Sequence, residues 1–281
     1  MKIEWFPGHM RTAREEAEKT MRQTDVVIEV LDARVPRASQ NPMFEKLRRE
    51  LQRPALKVLN KSDVADPART PGWLAWYNAQ KGTRAVALSS KAQAEVRALP
   101  ALCNELAPHR GTMGKPLRLM ILGIPNVGKS TLMNSLLKRK VAKVGDEPAI
   151  TKMQMRHQLA PGISLVDTPG MLWPGIDGDT AMLLAATHSI GRNAYDDEDV
   201  ARALSKWLLA DYPALVAARY GAPPAGAALL EWIAEQRGLR AKGDLLDIGR
   251  AATQLLTDFR HHALGRITLE APPLAGAPAA R

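Results

Sequence analysis

The chain has 281 residues, room for two domains of unequal size, since single cores seldom grow past about 250 residues. Lysine and arginine number 39 against 29 acidic residues, a formal charge of +10, and that balance favours a polyanionic partner such as nucleic acid. A lone cysteine, Cys103, excludes an internal disulfide and a multi-cysteine zinc site. No apolar run reaches the roughly 18 residues of a membrane span, and "MKIEWFPGHM" lacks the apolar stretch of a signal peptide; the expectation is a soluble, cytoplasmic protein with no membrane partner.

A basic helix is predicted over 12–23. "DVVIEVLDAR" follows as an apolar run rich in valine and isoleucine, which suits a strand buried on both faces of a parallel sheet. Helices are predicted near 41–51, 71–80 and 92–106, and between them the strands "ALKVLN", ending at Asn60, and "RAVALSS", ending at Ser90. Strands that alternate with helices imply crossover connections and a doubly wound α/β sheet. "PHRGTMGKP" breaks every periodicity and reads as a surface connection. A fresh strand, "LRLMILG", then runs into a glycine loop and the helix "TLMNSLLKR", and "QMRHQLA" and "ISLVDTPG" form a strand pair turned at Pro161 and Gly162. From about Asp179 the pattern is helical only, with Ile248, Ala252, Leu255, Leu256, Phe259 and Ala263 forming one apolar stripe. The expected organisation is an α/β domain over 1–178, a smaller basic all-helical domain over 179–270 and a disordered tail over 271–281.

Gly123-Ile-Pro-Asn126-Val127-Gly128-Lys129-Ser130 matches G-x-x-x-x-G-K-[ST] between a strand and a helix. The glycines let backbone N–H groups converge on phosphate oxygens, and the helix from Ser130 and Thr131 presents its positive end. Lys129 neutralises β- and γ-phosphates, and the Ser130 hydroxyl suits Mg²⁺. Asp167-Thr-Pro-Gly170 ends an apolar strand, where Asp167 would reach Mg²⁺ through water and the Gly170 N–H would meet a γ-phosphate.

Asn60-Lys61-Ser62-Asp63 also ends a strand. A carboxylate at Asp63 accepts paired hydrogen bonds from the ring N–H and exocyclic amine of guanine, which adenine does not offer. Lys61 would lay its stem over the base, Asn60 would hold neighbouring loops together, and Ser89-Ser90-Lys91 at the next strand end would offer a backbone N–H to the guanine carbonyl. Between the glycine loop and DTPG lies "VGDEPAITKMQ", a loop without helical periodicity in which Thr151 either reaches Mg²⁺ and the γ-phosphate or is a plain surface threonine.

Together these motifs resemble TRAFAC-class GTPases in circularly permuted order, with NKxD first and the P-loop later. "WFPGHM", "NKSD", "SSK", "GIPNVGKS" and "DTPGMLWP" resemble the ribosome biogenesis GTPase A family (RbgA/YlqF). Ala149 departs from that pattern, where the family usually has glycine. The permuted order is allowed because the ordinary ends of such a sheet lie close together, "PHRGTMGKP" being the splice; the DTPG loop then runs straight into the helical domain, which would pass γ-phosphate sensing on as domain reorientation.

Many GTPases orient the attacking water with a glutamine just after the aspartate loop; here Met171 stands there, and a thioether does not polarise water. His9 either serves as the catalytic imidazole or only lines a surface or contacts RNA; the resemblance favours catalysis. Asn126 is a candidate for holding K⁺ beside the phosphates. Arg237, Arg240, Lys242, Arg250, Arg260, His261, His262 and Arg266 form either an ordinary solvated face or an rRNA-binding surface, extended by Lys2, Arg11, Arg14, Lys19 and Arg22. The resemblance implies a GTP-hydrolysing factor, with GTP, GDP and Mg²⁺ as ligands, that binds the immature large ribosomal subunit and leaves after hydrolysis; the oligomeric state stays open, with a monomer favoured. The rivals are a signalling GTPase with a protein target and an RNA-modification GTPase acting on tRNA.

Overall fold

The computed structural model describes residues 2–3, 8–138 and 155–273, with side chains from Thr12 onward except those of Ala13 and Met155. In chain order the elements are β1 (Lys2–Ile3), α1 (Gly8–Arg22), β2 (Val26–Asp32), α2 (Pro42–Glu50), β3 (Ala55–Asn60), α3 (Thr70–Asn78), β4 (Thr83–Ala87), α4 (Gln93–Leu106), β5 (Leu117–Leu122) and α5 (Lys129–Leu137). There follow β6 (Met155–Ala160), β7 (Ile163–Asp167), β8 (Ile176–Asp177), α6 (Gly178–Ala186), α7 (Asp197–Asp211), α8 (Pro213–Tyr220), α9 (Leu229–Gln236) and α10 (Ile248–Arg260).

Six strands form one sheet in the order β4-β3-β2-β5-β7-β6, parallel except for β6, which pairs antiparallel with β7. Every residue of β2 and β3 is buried, as expected for central strands covered on both faces. From β2 the chain steps outward through β3 to β4, then returns to lay β5 on the other flank of β2. The order therefore reverses between β2 and β5, and open α/β sheets bind ligands beyond the strand ends at such a reversal.

Three charged residues fall in these apolar runs, Asp32 at the end of β2 and the inner pair Glu29 and Lys57, and the inner two account for each other. Glu29 of β2 stands in register with Lys57 of β3, and the fully buried Lys57 ammonium lies between the Glu29 carboxylate and Glu45 Oε2, 3.0 Å away. Arg48 and Arg49 hold the other oxygen of Glu45 at 2.7 and 2.6 Å. Buried charge is tolerated when such a network is complete, and removing one member leaves an uncompensated ion.

By contacts the chain divides into two units, one of Met1–Glu4 with Gly175–Leu269 and the other of Trp5–Pro174 with Glu270–Arg281. The first is helical apart from the antiparallel pair β1–β8. In it Asp196 caps α7 by accepting the Glu198 and Asp199 N–H groups. Along α10 the buried face comprises Ala251, Ala252, Leu255, Leu256 and Phe259; the helix ends at Arg260, so Ala263 lies beyond it and is exposed. No helix among the described residues is long and apolar enough to cross a membrane.

Candidate nucleotide site

Four loops leave the C-terminal ends of adjacent parallel strands, and one side chain ties three of them. Asn60, last residue of β3, is buried. Its Nδ2 donates to the Val127 carbonyl at 2.7 Å, and its Oδ1 accepts the Ser90 N–H at 2.9 Å and the Ser90 hydroxyl at 2.7 Å. Ser135 of α5 donates in turn to the Ser90 carbonyl at 2.7 Å. The Ser90 N–H is thus already engaged, while the next amide, that of Lys91, has only a long contact of 3.4 Å to Ser89 Oγ.

Lys61 has φ +62° and Asn126 φ +60°, a left-handed conformation that costs a lysine about 1–3 kcal/mol and clusters at functional sites. The two residues meet: Lys61 Nζ donates to the Asn126 carbonyl at 2.7 Å. The Ser62 N–H bonds the Leu88 carbonyl at 3.2 Å, drawing the NKSD loop onto the loop after β4. Asp63 is exposed at the end of this group.

Gly128, at φ +92°, is the N-cap of α5, and no side chain caps that end. Its first-turn N–H groups remain available to an anion. Lys129, Ser130 and Thr131 begin the helix. Burial lowers the pKa of Lys129, while Asp167, 3.3 Å from Nζ, opposes the shift. Thr168 Oγ1 donates to the Ile121 carbonyl at 2.7 Å, and Gly170 lies so close to the glycine loop that a Cβ there would stand 3.2 Å from Pro125. Ser130, Lys129 and Asp167 thereby share one end of the sheet, with two oxygen donors of the kind Mg²⁺ prefers.

Met171 is buried in a cluster with Ala17, Met21, Val27, Phe44, Met120 and Leu122. Its carbonyl accepts Asn41 Nδ2 at 3.0 Å, while Asn41 Oδ1 caps α2 at the N–H groups of Met43 and Phe44. The residue after DTPG is therefore an anchor in the core, with its side chain turned away from any water. His9 falls in the first turn of α1, and its side chain lies outside those described; Thr151 lies outside the described residues altogether.

Sequence reading missed Asp32, Arg34 and Asn41. Asp32 is fully buried at the end of β2, in register with Asn60. It accepts Lys61 Nζ at 2.8 Å and the Arg34 fork at 2.9 and 2.7 Å. Burial pushes its carboxyl upward, but the charges of Arg34 and Lys61 outweigh this and hold it well below the usual carboxylate range. The available signal was an aspartate closing a strand that is apolar but for Glu29, with an arginine two residues on.

Residues 118–223 match the family model described as "50S ribosome-binding GTPase". Over 283 residues the chain is 35% identical to Ribosome biogenesis GTPase A of Bacillus cereus, covering 97% of this chain and 95% of that one. It is likewise 35% identical to Ribosome biogenesis GTPase A of Priestia megaterium, covering 99% and 100%. The crystal structure of GNP-bound YlqF from T. maritima superposes with a TM-score of 0.64 at 26% identity, over 93% of this chain and 98% of that one. Because the identity to these relatives runs the length of both chains and the permuted strand order is present in the sheet, the protein belongs to the ribosome biogenesis GTPase A family.

Proposed function

We propose that this GTPase is an assembly factor that binds the immature large ribosomal subunit in its GTP state and leaves after hydrolysis. The observation that carries the reading is the Asn60 junction, which gathers a base-reading loop and a phosphate loop at one end of the sheet, in a chain whose relatives bear that name. Asp63 reads the guanine ring N–H and amine, and the Lys91 N–H is the amide left for its carbonyl. Asn60 and Ser90 hold the loops. Ser89 and Ser62 shape them, and Lys61 covers the base. The amides from Asn126 through Thr131 cradle the phosphates with Lys129, and the Gly170 N–H senses the γ-phosphate.

Mg²⁺ bound here would stabilise the charge that develops on the transferred phosphoryl oxygens. Ser130, Asp167 and Thr151 would hold it, the pairing of Lys129 with Asp167 giving way as the ammonium turns to the phosphates. Asn126 would offer its side-chain oxygen to a K⁺ ion; equal hydrolysis rates in sodium and potassium buffers would dispose of that assignment. His9 supplies the base or water-holding group that Met171 does not.

The helical unit meets rRNA through its C-terminal cations, although over Gly175–Leu269 ten lysines and arginines stand against twelve acidic residues and the positive excess of the chain lies in the sheet unit. Not all of its cations are available for this: Arg260 holds the Ala185 and Ala186 carbonyls and the Tyr195 hydroxyl at 3.0–3.1 Å, and Arg237 bonds the Arg219 carbonyl and covers the Tyr220 ring. Lys242, Arg250 and His261 are exposed and make the better phosphate contacts. The protein acts in the cytoplasm as a monomer. Sucrose-gradient sedimentation with large-subunit precursors, with GTP or GDP and with hydrolysis measured in the same samples, tests the reading. Comigration in GTP with stimulated turnover is expected; absence of comigration at every salt concentration would overturn it.

A further inference from the structure

The loop between β2 and α2 is held from two sides. On its inner side Asp32 gathers the Arg34 guanidinium and backbone N–H together with Lys61 Nζ. The Asp32 N–H donates to Ser39 Oγ at 3.0 Å, which closes the loop on itself. On its outer side the partner comes from the far end of the chain. Glu270 Oε2 accepts the Arg37 N–H at 2.8 Å, and both its oxygens accept the Ala38 N–H, at 3.1 and 3.2 Å.

Glu270 is itself fixed by neighbours in the same compact unit. Its carbonyl accepts Trp73 Nε1 of α3 at 3.1 Å, and two residues on Pro272 fills the space above Gly72, where a Cβ would meet the proline ring at 2.7 Å. Tyr77, also on α3, donates its hydroxyl to the Pro36 carbonyl at 3.0 Å. The segment 270–273 and α3 therefore form one clamp around Pro36, Arg37 and Ala38. Burial pushes the Glu270 carboxyl up to about 7 against the opposing pull of the Ala38 and Arg37 N–H groups, and these hydrogen bonds are made across more than 230 residues of sequence.

We propose that Glu270 is a positioning residue for guanine-nucleotide binding: it pins the 33–39 loop, whose Arg34 holds the Asp32 carboxylate at the end of β2, and Asp32 in turn fixes the Lys61 ammonium against the Asn126 carbonyl of the phosphate loop. Lys61 stands between Asp32 at 2.8 Å and Asn126 at 2.7 Å, so a loop that drifts draws Arg34 off the Asp32 carboxylate and loosens the orientation in which Asp32 holds Lys61. Base-reading and phosphate-gripping loops then lose one of their ties, and ordering them falls to the nucleotide, which binds more weakly for it.

The test uses the full chain and titration with a fluorescent GDP analogue. Glu270→Ala should weaken GDP by about five- to tenfold, and Glu270→Gln, which keeps one acceptor oxygen, should stay within about twofold of the wild type. Gly72→Ala separates this from general destabilisation: alanine favours the helix by about 1 kcal/mol, yet its methyl displaces Pro272, so GDP should weaken without loss of thermal stability. In the cycle with Asp32→Asn, the double variant should bind GDP no worse than Asp32→Asn alone, because both act through Lys61. Linkage also requires that saturating GDP slow amide exchange at Arg37 and Ala38 in the wild-type chain, a measurement that needs no variant. Unchanged GDP affinity in Glu270→Ala, additive losses in the cycle, or exchange at Arg37 and Ala38 indifferent to GDP would each overturn the assignment. The outcome does not depend on which particle the GTPase serves.

Discussion

A methyl group on Gly128 would stand 2.2 Å from the amide nitrogen of Asn60. The glycine loop and the NKSD loop are thus packed against each other at a point where one accepts no side chain and the other supplies the hydrogen bonds. Gly128 also carries φ +92°, so substitution meets backbone strain as well as the clash. Gly128→Ala should abolish measurable GDP binding. Asn60→Ala should weaken it by about ten- to a hundredfold through loss of its ties to Val127 and Ser90. Calorimetric titration with GDP checks both; retained wild-type affinity in Asn60→Ala would remove Asn60 from the junction.

Met171→Gln restores the residue type that many GTPases use to orient water, and it should fail to raise turnover. The side chain is buried among Met21, Phe44 and Met120, so an amide there is desolvated without a partner and should lower stability by about 1–3 kcal/mol. Urea melts and single-turnover hydrolysis read the two effects separately. A faster, equally stable variant would show that the side chain can leave the core.

His9→Ala should reduce particle-stimulated turnover by about a hundredfold or more, the usual range for loss of a general base, while GDP affinity stays within about twofold. Stimulated hydrolysis at the wild-type rate would remove His9 from the chemistry.

Acid should unfold the sheet unit steeply. At Asp32, Asp25 and Glu45 burial raises the carboxyl pKa, but in each case the cationic partners outweigh it and the net shift is downward: Arg34 and Lys61 for Asp32, Arg118 and Arg110 for Asp25, Lys57 and Arg48 for Glu45, which reaches about 2. Depressed carboxylates contribute stability that is fully present above their unfolded values near 4 and is lost as pH falls through the folded values. The urea midpoint should therefore drop below about pH 4, after a rise between pH 7 and about 5 as the buried Glu270 carboxyl, pushed up to about 7, takes its proton. Asp32→Asn should flatten that drop, and an unaltered acid slope in this variant would count against its depressed pKa.

The phosphate loop, NKSD, SSK and DTPG are visible in sequence because each is a local solution: glycine where backbone must approach, a polar residue where a strand ends. The α/β alternation is visible for the same reason, since β2 and β3 are apolar on both faces. What holds the loops in place is not local. Asp32 meets Lys61 29 residues away, Asn41 meets Met171 130 residues away, and Glu270 meets Arg37 233 residues away. An aspartate after a strand or a glutamate near a proline-rich tail has many ordinary uses, and only the fold says which partner it found. Met171 is a mixed case, because its chemistry was legible while its burial was not.

The pairing of Lys2 with Asp177 and of Ile3 with Ile176 also sets a schedule for synthesis. The first strand to leave the ribosome has no partner until more than 170 residues have followed it, which at about 5–20 residues per second is on the order of ten to thirty seconds. The loop after β2 waits longer still for Glu270. A nascent chain can therefore assemble most of its sheet early, yet it keeps Lys2 and Ile3 without this pairing until Asp177 and Ile176 have been made, and the loop after β2 unclamped until Glu270 has been made. The loop network around Asp32 and Lys61 thus closes only after a glutamate more than 200 residues downstream has been made.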